Sequence, residues 1–160
     1  MAAARSDRRR PRPLAVAELA APLPARRKLR LTAEVLGAYC RVRWWLRQNE
    51  LPEVVRRLRG WQPVGAGASG QAREPGEAEY ESGLRLGRAV VRTLRLLPTD
   101  GRCLMRSLVL TGLLARRGIS STLIIGVRPA PEFAAHAWVE HERRPLLPPG
   151  ERGYGRLTEM

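Results

Sequence analysis

A cysteine and a histidine in the C-terminal half of the chain have the positions that nucleophilic catalysis requires. Cys103 opens the apolar run 104–114, and the pattern predicts a largely buried helix over Cys103–Arg117 that stops at Gly118. A thiol in the first turn of a helix meets unpaired backbone N–H groups and the positive end of the helix dipole, which favour the thiolate. The other interpretation is a small hydrophobic residue that begins a core helix, because free cysteines are often buried.

His136 lies in a segment of alternating polarity, residues 133–140. The alternation predicts a strand with His136, Trp138 and Glu140 on one face and small apolar residues on the other. A strand histidine that follows a helix headed by cysteine is how a Cys–His pair is assembled from separate elements. The alternative is a hydrogen-bonded core histidine, the commoner role of a single His. Taken together, Cys103 and His136 favour a catalytic pair.

Metal binding is a weaker use of these side chains. The possible ligands Cys40, Cys103, His136 and His141 are separated by 62, 32 and 4 intervening residues. Structural zinc normally uses close ligand pairs, and residues five apart on a strand point to opposite faces. We therefore expect no metal and no cofactor, and two cysteines that stay thiols in a reducing cytosol.

The remaining pattern predicts helices first and a small sheet afterwards, which is an α+β fold. Apolar residues at helical spacing predict helices at 29–48 and 77–97, with a short helix ending at Gly60 between them. Apolar and β-branched residues predict strands at 123–127 and 135–140, and the last ten residues are expected to form a short tail. The predicted units are a flexible lead-in rich in Ala, Arg and Pro, a helical subdomain, a Gly/Pro-rich linker and a C-terminal core, at 1–27, 28–59, 60–76 and 77–160.

Charge is strongly unbalanced along the chain. Twenty-nine Lys and Arg residues, all arginine except Lys28, face 15 acidic residues and give a net charge of +14. Such a surface attracts nucleic acid, an acidic membrane or an acidic protein. No RNP signature, zinc-finger spacing or aromatic platform accompanies the charge, so we expect no nucleic-acid ligand. The alternative from another class is an arginine-rich nucleic-acid-binding or adaptor protein whose Cys and His are merely buried.

No apolar run approaches the ~20 residues of a membrane span, so no membrane span is expected. Prolines and Glu18 interrupt any signal-peptide core near the N-terminus. We therefore expect a cytoplasmic protein.

Four short segments resemble the leader peptidases of lasso-peptide biosynthesis, which are stand-alone transglutaminase-like cysteine proteases. The segments are 103–108, 116–119, 123–128 and 135–140, and they include Arg-Arg-Gly-Ile, a Gly-Val-Arg strand and His-Ala-Trp-Val-Glu. The resemblance covers about residues 80–160. It implies a papain/transglutaminase-like minimal core, in which the helix headed by Cys103 packs on a small antiparallel sheet.

The resemblance also implies roles for the two reactive side chains. Cys103 corresponds to the nucleophile, and His136 corresponds to the general base that later protonates the leaving amine. The third member in this family is usually an acidic residue about a dozen positions beyond the histidine. That position falls near Pro148, which we expect to be unable to orient an imidazole.

Three carboxylates compete for the place of that third member. Glu151, after Pro148, is the nearest downstream acid and is the predicted substitute, although a solvated loop carboxylate is an equal interpretation of it. Glu140 and Glu142 are the competitors, and Glu140 shares the predicted strand face of His136.

The partners implied by the resemblance belong to one biosynthetic system. They are the lasso precursor peptide with its leader and core, a small leader-recognition protein, and a separate ATP-using macrolactam synthetase. Stand-alone peptidases of this family lack a leader-recognition domain and depend on the small protein. The segment before residue 28 is expected to be too short for such a domain. The resemblance thus implies a bacterial, cytoplasmic hydrolase that removes a leader peptide.

Overall fold

A computed structural model of the 160-residue chain describes residues 25–61, 76–97, 102–129, 133–150 and 154–160. The elements in chain order are α1 (Ala25–Leu46), α2 (Leu51–Arg59), α3 (Glu77–Leu94), α4 (Arg102–Ala115), β1 (Thr122–Arg128), β2 (Ala134–His141), β3 (Arg144–Pro145) and β4 (Gly155–Glu159). Helices therefore precede the strands, which confirms the predicted α+β class. Among the described helices, none is long and apolar enough to cross a bilayer.

The first two helices begin close to where their sequence signals place them. Helix α1 starts at Ala25, earlier than the predicted residue 29, so the last three residues of the predicted lead-in are helical. Helix α2 carries Pro52 in its first turn, where the missing N–H of proline has no helical partner to lose. Gly60 ends α2, as predicted, and its N–H donates to the carbonyl of Arg56.

Helix α4 is the centre of the packing. It starts one residue before Cys103. Within 105–114, every residue except Arg106 is buried, nine residues in all. The helix stops at the predicted glycine, since Gly118 has φ +71° and the N–H of Ile119 donates to the carbonyl of Leu114. A glycine reaches this left-handed conformation without the steric cost that other residues meet.

The described helices and the sheet share one hydrophobic core. Helices α1, α2 and α3 each pack on α4, and α4 packs on β2. Trp61, at the start of the predicted linker, meets Trp45 edge-on at 6.2 Å between ring centroids. The guanidinium groups of Arg41 and Arg116 lie 4.8 and 4.9 Å from the centroid of the Trp61 ring. Residues 25–59 are thus packed against the C-terminal core.

The described strands form an antiparallel sheet in the order β3-β2-β1-β4. The two predicted strands, β1 and β2, are at its centre, with Gly126 opposite His136 and Ile124 opposite Trp138. The predicted C-terminal tail is wrong for residues 155–159, which pair with β1 as the edge strand β4. Every residue of β4 is exposed, so its sequence carries no pattern of alternating apolar residues that would have revealed it.

Candidate active site

Cys103 occupies the position that its sequence context predicts. It is the second residue of α4, in the turn where backbone N–H groups have no partner within the helix. Its side chain is half-buried against the core, and the thiol is free. Arg106 follows one turn later on the same side of α4, which adds positive charge near the sulfur. The first turn of α4 can therefore stabilise negative charge, on the sulfur or on an oxygen bound beside it.

His136 is half-buried on β2 and is held through one ring nitrogen. Its Nε2 lies 3.0 Å from the carbonyl oxygen of Pro148. Because a carbonyl oxygen only accepts hydrogen bonds, Nε2 carries the proton in this contact. The same tautomer leaves Nδ1 without a proton, so Nδ1 can accept one from a nucleophile.

Three further residues fix the plane of the imidazole. The Trp138 ring stacks beside it at 6.1 Å between centroids with 18° between the planes, and the Tyr154 ring lies at 5.5 Å. Gly150 has φ +84°, and a Cβ at this position would lie 3.0 Å from Cδ2 of His136. The imidazole is therefore packed beside two aromatic rings, and the absence of a side chain at Gly150 leaves room for it.

The expectation that Pro148 cannot orient an imidazole is wrong. The side chain of a proline cannot accept a hydrogen bond, but its main-chain carbonyl can, and this carbonyl is the group that contacts His136. The segment before Pro148 is fixed, because the N–H of Leu146 donates to the carbonyl of Val139 in β2 at 2.8 Å. Gly87 of α3 lies against the same segment, and a Cβ on it would come within 2.8 Å of the Leu146 carbonyl oxygen. Helix α3 and β2 together place the carbonyl group that holds His136.

The carboxylates predicted to compete for the third position lie in different surroundings. Glu140 shares the face of His136, as predicted, but it is buried and accepts a hydrogen bond from Nε1 of Trp138 at 2.8 Å. Nη2 of Arg156 also lies 2.8 and 2.9 Å from the two oxygens of Glu140. This carboxylate is held by those two partners and does not reach the imidazole.

Glu142 lies beyond the other end of β2. It adopts φ +48° in the turn between β2 and β3, six residues from His136, which corresponds to about 20 Å of extended strand. It is therefore too distant to orient the imidazole. Glu151 lies outside the described residues, and its role stays a prediction.

The structure brings the elements that carry Cys103 and His136 into contact, because α4 packs directly on β2. Within the described part of the chain, the Cys103 thiol makes no hydrogen bond. Catalytic hydrogen bonds are often long before substrate binds and tighten in the substrate complex. The arrangement can therefore supply a thiol at a helix start and an imidazole with an open Nδ1.

The residues that the structure describes contain no group of three or more His, Cys, Asp or Glu placed to hold a metal ion. His141, the second histidine of β2, is buried, and its Nδ1 lies 2.7 Å from the carbonyl oxygen of Ser120. It takes no part in the site around His136.

Comparison with known proteins gives one finding about the family. The family model described as the transglutaminase-like superfamily matches residues 50–160. The match runs from the start of α2 to the C-terminus and includes Cys103, His136 and Pro148. No curated protein and no solved structure matches the chain significantly.

Proposed function

Because the chain belongs to the transglutaminase-like superfamily, we propose that it is a cysteine peptidase that removes the leader from a lasso-peptide precursor. The observation that carries the peptidase chemistry is the hydrogen bond from Nε2 of His136 to the Pro148 carbonyl. It selects the tautomer in which Nδ1 is the proton acceptor, on a strand that contacts the helix headed by Cys103.

In the first step, Nδ1 of His136 accepts the thiol proton and the Cys103 sulfur attacks the carbonyl carbon of the scissile peptide bond. The carbonyl oxygen becomes an oxyanion. Backbone N–H groups in the first turn of α4 can donate to this oxygen, a contribution of about 3–4 kcal/mol in other enzymes. The carbon–nitrogen bond then breaks, the imidazolium gives its proton to the leaving amine, and a thioester remains on Cys103.

In the second step, a water molecule attacks the thioester carbon while His136 accepts one of its protons. The carbon–sulfur bond breaks, and the proton returns from the imidazolium to the sulfur. The leader leaves with a new carboxylate, and the core peptide already carries a new amino terminus. Throughout the cycle, the Pro148 carbonyl keeps Nε2 protonated and keeps Nδ1 directed to proton transfer.

The lasso precursor is proposed as the substrate because of the sequence resemblance. The segments at 103–108 and 135–140 combine the Cys-headed helix with the His-Ala-Trp-Val-Glu strand of those leader peptidases. By the same resemblance, a small recognition protein holds the leader, and a macrolactam synthetase closes the released core. Both proteins are proposed partners in the cytoplasm.

The proposal predicts a precursor and a recognition protein in the same gene neighbourhood, and it is tested by incubating the chain with both and measuring leader release by mass spectrometry. We expect release by the wild-type protein and none by the Cys103→Ala variant. The matched control is Cys40→Ala, because Cys40 is exposed on α1 and should not contribute. Release that survives Cys103→Ala, or no release by the wild type, would contradict the proposal.

Acyl transfer is a second reaction open to the same thioester, because an amine can replace water as the acceptor. Hydrolysis in water enriched in ¹⁸O adds one heavy oxygen to the released leader. Transfer to an added amine instead gives an amide of the corresponding mass. The proposal predicts the heavy carboxylate as the main product when amine and peptide are present at equal concentration.

The arginine-rich alternative makes a different prediction. A nucleic-acid-binding protein should bind duplex DNA or RNA with an affinity that falls steeply as salt increases. Its binding should be the same in the wild type and in Cys103→Ala. Nucleic-acid binding without any leader release would favour this alternative.

A further inference from the structure

A groove of about 570 Å³ lies between helix α3 and the segment that leads to Pro148. We call it the α3 groove, and its lining includes Arg88, Val91, Arg92, Arg95, Leu96 and Pro148. The groove exists because α3 and this segment meet closely at Gly87, where there is no side chain to separate them. The groove is open to solvent.

The charge of the α3 groove has one sign. Arg88, Arg92 and Arg95 are spaced four and three residues apart, so they form one stripe along the helix. All three are exposed, and among the described residues none of them has an acidic partner or a hydrogen bond. Arg85, one turn earlier, is by contrast paired with Glu81 at 2.9 Å. The groove therefore presents three positive charges that the described part of the fold does not neutralise.

Apolar surface lies beside this stripe. Leu96 is 83% exposed at the end of the groove, and Val91 is half-buried within it. An exposed leucine beside unpaired arginines fits a ligand that has both carboxylates and apolar side chains. A nucleic acid would match the arginines but would leave Leu96 without a complementary surface.

The α3 groove adjoins the candidate active site at Pro148. Pro148 lines the groove, and its carbonyl oxygen holds Nε2 of His136. A peptide chain that lies in the groove at Pro148 is thus next to the segment that holds His136.

We propose that the α3 groove binds an acidic segment of the precursor peptide that also carries apolar side chains, an assignment that rests on the proposed peptidase function. The arginine stripe attracts the carboxylates, and Leu96 and Val91 contact the apolar side chains. Binding in the groove places the neighbouring peptide bond at the catalytic pair.

The test uses the full chain with Cys103→Ala, which cannot cleave, and a fluorescein-labelled synthetic 12-residue peptide of alternating Glu and Leu. Fluorescence anisotropy measures its dissociation constant. Replacing Arg88, Arg92 and Arg95 together by Gln should weaken binding about 5- to 50-fold, as expected for the loss of three exposed ion pairs. A Gln–Leu peptide, which carries no carboxylates, should bind the protein with its three arginines intact about as weakly as the Glu–Leu peptide binds the triple Gln variant.

The matched control removes three charges elsewhere. Arg26, Arg27 and Arg30 of α1 are also exposed, so their joint replacement by Gln changes the net charge equally. Binding that falls equally in the control shows general attraction to a basic protein and overturns the proposal.

A duplex DNA oligonucleotide is measured in parallel. If the groove variant weakens only DNA binding, the groove is a nucleic-acid site and the proposal is wrong.

A second variant and a kinetic measurement separate this inference from the proposed function. Leu96→Ser should weaken binding of the Glu–Leu peptide about threefold without changing the net charge. With active protein, the triple groove variant should raise KM for the precursor, and the α1 control should not.

If the wild type cleaves the precursor and KM is unchanged by the groove variant, the groove assignment fails while the peptidase function stands. If the Glu–Leu peptide binds in the groove but no precursor is cleaved, the peptidase function fails instead.

Discussion

The two histidines of β2 lie at opposite ends of the same strand and have opposite surroundings. His136 is half-buried, and one of its nitrogens is held by the Pro148 carbonyl. His141 is 2% exposed, with Nδ1 at the Ser120 carbonyl and Nε2 3.9 Å from the Glu79 carboxylate. Both rings use one nitrogen to bind a main-chain carbonyl. They differ in whether the second nitrogen lies at an accessible site.

Under the proposed function, that difference separates a reactive histidine from a structural one. At the His136 end, the ring is fixed by aromatic neighbours, and Nδ1 has no hydrogen-bond partner among the described residues. At the His141 end, the ring fills space between the sheet and the helices. Residue type alone does not distinguish the two, because the accessible nitrogen depends on the packing around each ring. The following variants test this contrast.

The largest effect is expected at the reactive end. If the proposed function holds, His136→Ala should lower kcat for leader release by roughly 10²–10⁴-fold, because the proposal assigns the proton transfer to this imidazole. Its free energy of unfolding, measured by urea denaturation, should fall less than that of His141→Ala, because His136 is only half-buried. A variant that keeps more than a tenth of wild-type kcat would show that His136 is not the base.

His141→Ala should have the opposite result. Removing a buried ring that is hydrogen-bonded to Ser120 should lower the free energy of unfolding by about 2–3 kcal/mol. The folded fraction should keep a kcat close to that of the wild type, because His141 is remote from the scissile bond. A large loss of kcat in folded His141→Ala protein would remove the contrast between the two histidines.

Two glycines with positive φ allow strain to be separated from contact with His136. Gly150→Ala and Gly118→Ala should each lose about 1–2 kcal/mol of stability, because φ is +84° and +71° at these positions. Only Gly150→Ala places a Cβ against the His136 ring, whereas a Cβ at Gly118 meets nothing within 4 Å. We therefore expect kcat to fall several-fold in Gly150→Ala alone. Equal effects on kcat would show that the space beside His136 does not matter.

The smallest effect concerns an ion pair near the His141 end. Arg144 donates to Glu77 at 2.8 and 3.2 Å, and this hydrogen bond lowers the pKa of Glu77 below its usual 4.5. A lowered folded-state pKa contributes stability above about pH 4.5 that is lost as the pH falls through the folded-state pKa. Glu77→Gln should thus lower Tm slightly at pH 7, and the difference from wild type should shrink in acid. A difference that grows in acid would contradict the sign of this linkage.

The sequence was informative where residue type and spacing determine local structure. The apolar run predicted α4 with Cys103 in its first turn, and period-two alternation predicted the shared face of His136, Trp138 and Glu140. Gly60 and Gly118 ended their helices as expected. In each case, the physical cause acts within a few neighbouring residues.

The parts that could not be predicted depend on main-chain atoms or on distant partners. Every residue has a carbonyl group, so nothing in the sequence indicates that the one of Pro148 would hold His136. Glu140 is held by Arg156 of β4. The residues of this strand are exposed and gave no periodic signal in the sequence. The packing of Trp61 against Gly112 of α4 and Trp45 of α1 likewise requires the fold, because the Gly/Pro-rich sequence after Trp61 carries no signal for it.

The central claim, that His136 activates the thiol of Cys103, is tested most directly by alkylation with iodoacetamide at neutral pH. The measurement uses Cys40→Ala protein, in which Cys103 is the remaining cysteine, and compares it with Cys103→Ala protein, in which only the exposed Cys40 reacts. We predict that Cys103 reacts much faster than Cys40, and that adding His136→Ala reduces its rate to that of Cys40 or below. Equal, slow labelling of the two thiols, or a Cys103 rate that His136→Ala leaves unchanged, would contradict the account.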